Sequence, residues 1–113
     1  MAERIVVNEV GPRDGLQSQG KTLTVEQRLQ MIQALLDTGI RSIEVGSFVS
    51  PKAVPQMAGT GELFAQLPMA DQVTYSALIP NAKGYELARA AGVRSVAVVL
   101  SATETMNQRN IRM

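Results

Sequence analysis

Short β-branched runs alternate with helix signals along this chain, and that alternation constrains its fold more than any other feature. The runs are Arg4–Val10 (RIVVNEV), Ser42–Val45 (SIEV), Val73–Ile79 (VTYSALI) and Arg94–Leu100 (RSVAVVL). Turn chemistry follows each of them: Gly11-Pro12, Gly46-Ser47, Pro80-Asn81 and Ser101. Ile5–Val7 and Val96–Leu100 are continuously apolar, the pattern of strands buried on both faces of a parallel sheet. Between the first two runs, Thr24-Val25-Glu26-Gln27 reads as a capping box, with Thr24 as N-cap and Gln27 reaching back to it. Val25, Leu29, Ile32 and Leu36 then share one helical face, and Gly39 supplies the stop. Asn81 is placed to cap a later helix, with Tyr85, Ala88 and Ala91 inward and Gly92 closing it. A shorter helix is expected from Thr60 to Leu67, ended by Pro68. The order predicted is β-α-β-α-β-α-β.

Alternating units of this kind build a parallel sheet with right-handed crossovers. An internal echo supports repetition: Gly39–Val45 (GIRSIEV) matches Gly92–Val98 (GVRSVAV), each a helix stop, a short loop and a strand. Two architectures fit, an open doubly wound sheet and a (β/α)8 barrel. The loop after the first run, GPRDG, is not the G-x-G-x-x-G dinucleotide fingerprint, and no Walker A motif occurs. A full barrel takes about 250 residues, so the 113 residues here correspond to part of one.

Charge and residue inventory narrow the chemistry. A net charge of +1 without a basic run argues against nucleic acid or anionic lipid as partner. No apolar run approaches the ~20 residues a membrane span needs, and MAERIVVNEV lacks a signal-peptide h-region. A soluble, cytoplasmic protein is the expectation. Cys and His are both absent. No catalytic thiol, imidazole base, Ser-His-Asp triad or two-His metal site can therefore come from these residues.

In parallel α/β folds, sites gather at the C-terminal ends of strands. Asn8, Glu9, Arg13, Asp14 and Gln17 follow the first run; Glu44 and Ser47 close the second. Asn81 follows the third, and Ser101 and Glu104 follow the fourth. Arg13-Asp14 is the most suggestive pair, a hard oxygen donor for Mg²⁺ or Mn²⁺ beside a guanidinium fork for an anionic oxygen. Asp14-Gly15 is equally a common turn dipeptide. Glu44 lies in a strand where a lone carboxylate is costly. If that strand alternates, Glu44 can face inward and pair with Arg13. Lys52, Lys83 and Arg89 read as solvated charges, and the scattered methionines as gap fillers. Ser47–Met57 (SFVSPKAVPQM) reads as a binding loop or lid after the second run.

At Val10–Gln17 (VGPRDGLQ), Ser47–Met57 and Pro80–Gly84 (PNAKG), the chain resembles the 3-hydroxy-3-methylglutaryl-CoA lyase family of metal-dependent TIM-barrel lyases. The resemblance runs from the first strand to Met113. It implies an α/β fold, the first half of a (β/α)8 TIM barrel with about four βα units. Residues 1–113 would be the N-terminal portion of a single catalytic domain. By the same resemblance, Asp14 matches a metal-ligating aspartate, and Arg13 the arginine that holds the thioester oxygen and stabilises an enolate. Glu44 matches an acidic residue required for activity, by orienting Arg13. Gln17, Ser47 and Asn110 match polar residues that line the site or approach the acyl-CoA.

The implied reaction is a metal-assisted retro-Claisen cleavage of 3-hydroxy-3-methylglutaryl-CoA, or a close 3-hydroxyacyl-CoA, to acetoacetate and acetyl-CoA. The implied cofactor is a divalent cation, Mg²⁺ or Mn²⁺, and the complete enzyme is expected to be a homo-oligomer, a dimer. The family's remaining ligands are two histidines of an H-x-H element and an asparagine, and its catalytic cysteine lies on a glycine-rich loop. None of the His or Cys is present here. This chain by itself should bind metal poorly and lack lyase activity. An acetyl-CoA-condensing synthase of the same superfamily, and a non-catalytic half-barrel that pairs through its open edges, are the competing expectations.

Overall fold

The computed structural model describes residues 5–68 and 72–99. Three parallel strands form one sheet in the order β1 (Ser42–Ser47), β2 (Thr74–Leu78), β3 (Ser95–Ala97). Three α-helices connect or precede them: α1 (Val25–Asp37), α2 (Thr60–Ala65) and α3 (Ala82–Ala90). This is the α/β arrangement of the first part of a (β/α)8 barrel, as the sequence predicts.

Local signals account for most boundaries. The capping box at α1 is complete: the Gln27 amide donates to Thr24 Oγ1 at 3.1 Å, and the Thr24 amide donates to Gln27 Oε1 at 2.9 Å. Substituting Thr24→Ala removes one of these bonds and is expected to lower unfolding free energy by about 1 kcal/mol, read as a shift in urea midpoint at unchanged m-value. Asn81 caps α3 by accepting from the Gly84 amide at 2.9 Å. The repeated segment begins alike in both copies. Gly39 (φ 93°) and Gly92 (φ 83°) adopt the left-handed conformation just after their helices, and the serine three residues on opens β1 or β3.

The core lies between the sheet and the helices on one face. Ile32 of α1, Ile43 and Val45 of β1 and Leu63 of α2 are fully buried together, with Val25, Leu29, Leu36 and Phe64 packed around them. Ile43 and Val45 face this layer, so Glu44 between them points to the opposite side of the sheet. Met57 is buried as a gap filler.

Three expectations are corrected. The first run is not a full strand: among its described residues the pairing is one parallel bridge between Glu9 and Ile43. Ile5, Val6 and Val7 are 85%, 71% and 67% exposed rather than buried on two faces. β3 is likewise short, and Val96, Val98 and Val99 are exposed. Parallel strands are held largely by burial on both faces, and nothing among the described residues covers these two edges. Tyr85 is also exposed; Gly84 and Ala88 make the inward face of α3 instead.

Candidate active site

One backbone device fixes the chain that leads into the site beside the first half of β1. The Glu9 amide donates to Ser42 O and the Glu44 amide donates to Glu9 O, both at 2.9 Å, which locks the chain beside β1. The next residues, Gly11–Gly15, form a single π-helical turn, in which the Arg13, Asp14 and Gly15 amides converge on Val10 O. Wide turns of this type are uncommon and concentrate at functional sites. Pro12 fits its early position because no amide is needed there, and its ring is buried. The Glu9 carboxylate accepts from the Gly11 amide at 2.9 Å and fixes the entry to the turn.

This turn throws Arg13 across to Glu44. Arg13 Nε donates to Glu44 Oε1, with the two side chains only 16% and 7% exposed. Glu44 therefore has the partner its burial requires. A guanidinium carries five N–H donors, and Glu44 engages it on the Nε side, so the Nη groups are the ones left to meet a substrate oxygen. Nη1 lies 3.4 Å from Asp14 Oδ1, a long contact to a side chain that is 68% exposed. Asp14 thus stands open to solvent beside a largely buried cation.

The other sequence candidates are distributed unevenly. Gln17 ends the helical turn that continues from Gly15; its Oε1 is buried and accepts no hydrogen bond from the described residues. Ser47 is buried as the last residue of β1. Asn8 and Asn81 have structural partners: Asn8 Oδ1 accepts from Ser42 Oγ at 2.9 Å, and Asn81 caps α3. Lys52, Lys83 and Arg89 are exposed. Ser101, Glu104 and Asn110 lie outside the described residues. A cleft of about 500 Å³ lined by Leu67, Tyr75, Val93 and Arg94 opens at the N-terminal ends of β2 and β3, away from Arg13 and Asp14. There burial raises the Tyr75 pKa, and its hydroxyl donates to Pro68 O at 2.9 Å.

Sequence reading missed Glu9 as the bracket of the turn and Arg28 as a buried cation. Arg28 carried a signal: it stands between Val25 and Ile32 on the inward stripe of α1, where a charge is out of pattern. Among the described residues, no three His, Cys, Asp or Glu side chains cluster as a metal site. Asp14 offers one hard oxygen, which does not by itself hold a divalent cation.

Parallel βα units with a largely buried arginine–glutamate pair and an open aspartate beside the strands match the barrel class of α/β folds, whose sites gather at one end of the strands. The chain belongs to the HMGL-like family, whose model matches residues 4–113. It is similar to hydroxymethylglutaryl-CoA lyase of Pseudomonas mevalonii, 50% identical over 96% of this chain and 36% of that protein. It is also similar to the 3-hydroxy-3-isohexenylglutaryl-CoA/hydroxy-methylglutaryl-CoA lyase of Pseudomonas aeruginosa, 48% identical over 98% of this chain and 37% of that one. Among solved structures, an HMG-CoA lyase from A. baumannii in complex with coenzyme A and 3-methylmalate superposes with a TM-score of 0.90 at 41% identity, over 96% of this chain and 35% of that chain. The chain therefore spans a little over a third of the length of the curated relatives it matches.

Proposed function

We propose that the protein carrying these residues is a carbon–carbon lyase that cleaves 3-hydroxy-3-methylglutaryl-CoA, or a close 3-hydroxyacyl-CoA, to acetyl-CoA and acetoacetate. The observation that carries this reading is the Arg13 guanidinium, buried at the strand ends and held through Nε by Glu44. In the cleavage, a base takes the tertiary hydroxyl proton and the C–O electrons form the ketone of acetoacetate. The C–C bond breaks, and its electron pair passes to the thioester as an enolate, which is then protonated to acetyl-CoA. Negative charge grows on the thioester oxygen during this step. A fixed guanidinium stabilises that charge more in the transition state than in the substrate. Glu44 keeps the guanidinium from reorienting, and its charge is balanced without occupying the Nη edge.

A divalent cation, Mg²⁺ or Mn²⁺, would polarise the substrate's hydroxyl and carboxylate oxygens when bound. Asp14 is the one ligand we assign among the described residues, which alone do not make its site. Substituting Asp14→Asn in the complete protein is expected to weaken Mn²⁺ binding by at least about tenfold in calorimetric titration; an unchanged affinity would remove Asp14 from the ligand set. Gln17, whose Oε1 has no partner among the described residues, and Ser47 are the polar groups we place toward the acyl-CoA, together with Asn110. Residues 1–113 form the N-terminal part of one catalytic domain in this reading. The complete enzyme is cytoplasmic and dimeric, which fractionation and sedimentation would test.

The deciding experiment is an assay of the complete protein with 3-hydroxy-3-methylglutaryl-CoA and its isohexenyl analogue, scoring acetyl-CoA release. Cleavage supports the lyase. Inactivity toward both, with condensation of acetyl-CoA and a 2-oxo acid, would assign a synthase instead. Residues 1–113 alone are expected to be inactive in either direction.

A further inference from the structure

Arg28 is 0% exposed, and none of its neighbours among the described residues is an acidic side chain within ion-pair distance. A buried cation without a counter-charge is costly, so its hydrogen bonds show what holds it there. Nη1 donates to Ala58 O at 2.8 Å and Nη2 to Thr60 Oγ1 at 3.1 Å, while Nε has no partner among the described residues. The Thr60 hydroxyl in turn donates to Met57 O at 2.7 Å. All these acceptors lie where the loop that leaves β1 returns to α2.

The guanidinium also touches the other end of that loop. A Cβ on Gly46 would fall 2.7 Å from Arg28 Nη2 and 2.8 Å from Thr60 Oγ1, so only glycine leaves room for them. The β1–β2 register shifts on reaching Gly46, between Glu44 and Gly46. The loop between these points crosses the C-terminal ends of the strands: the Phe48 amide donates to Leu78 O at 3.0 Å, and Phe48 O packs against Gly84 of α3. One side chain thus contacts the start and the finish of a segment lying at the same end of the sheet as Arg13 and Glu44.

We propose that Arg28 is a positioning residue, a clamp that fixes the Phe48–Met57 loop and the irregular end of β1 in one arrangement over the strand ends. Its consequence for turnover rests on the lyase reading; its structural claim does not. A lysine keeps the charge but cannot present two parallel donors to Ala58 O and Thr60 Oγ1.

The test is amide hydrogen exchange on the complete protein, comparing the parent with Arg28→Met, Arg28→Lys and the milder Thr60→Val. The Ala53, Val54, Met57 and Ala58 amides, all bonded within the loop, are expected to exchange about tenfold faster or more in Arg28→Met, with α3 and β2 amides little changed. Arg28→Lys and Thr60→Val should fall between. In the same variants, KM for the acyl-CoA should rise by about tenfold while kcat changes by less than about threefold, as expected for a substrate-side loop. Unchanged loop exchange in Arg28→Met, or an equal acceleration of every protected amide, would overturn the clamp. If Arg28→Met does not fold, Thr60→Val decides by the same criterion. A parent protein that cleaves no acyl-CoA would sink the lyase reading, and the exchange pattern would still judge Arg28.

Discussion

Arg13→Met in the complete protein is expected to lower kcat for acyl-CoA cleavage by about 10²–10³-fold or more, with KM moving far less. The reasoning is differential. The thioester oxygen is nearly neutral in the bound substrate and carries most of the charge in the departing enolate. A cation aimed at it therefore contributes mainly in the transition state. Arg13 suits this task because its side chain is 16% exposed, where water screens little, and because Glu44 meets it at Nε. Arg13→Lys should recover only part of the rate, since an ammonium cannot bond Glu44 and a substrate oxygen with the same fixed geometry. Rapid-quench measurement of acetyl-CoA formation separates chemistry from product release. A kcat within threefold of the parent would exclude Arg13 from charge stabilisation.

Removing its partner should be nearly as damaging, and in two currencies. Glu44→Ala leaves a mostly buried guanidinium facing only the exposed Asp14 at 3.4 Å. Breaking a buried pair from one side costs about 3–5 kcal/mol, so the urea midpoint should fall sharply. kcat should fall too, because Arg13 is then free to swing toward Asp14 or solvent. Glu44→Gln separates the effects. Its amide oxygen can still accept from Nε, so most stability should return, while the loss of charge leaves kcat below the parent. Stability lost without any change in kcat would mean that Glu44 serves the fold alone.

Which parts of this arrangement were legible before folding is a question of range. Caps, stops and the inward stripe of α1 depend on contacts within four residues, so Thr24, Asn81 and Gly39 declared them outright. The strand cores at Ser42–Val45 and Val73–Ile79 were legible from β-branched runs. Their partners were not: the same apolar signal marked Ile5–Val7 and Val96–Leu100, yet Ile5, Val6, Val7, Val96, Val98 and Val99 are exposed, because burial depends on what covers an edge. Glu44 and Arg13 could be named as candidates from position and family resemblance, yet their pairing needed the Glu9 bridge and the π-helical turn, which no local pattern announces.

By itself, then, the sequence determined the βα alternation, the ends of the helices, the absence of His and Cys chemistry from this segment, and the family. Those follow from composition and from interactions between near neighbours. The tertiary structure alone decided that the GPRDG turn is π-helical, that Glu44 turns away from the core to hold Arg13, and that Arg28 lies buried under Gly46. The last two depend on groups about thirty positions apart in the chain, which meet only when β1 packs between the turn and the helices, where desolvation makes a charge demand a specific partner; the turn closes on Val10 O once Glu9 is held beside β1.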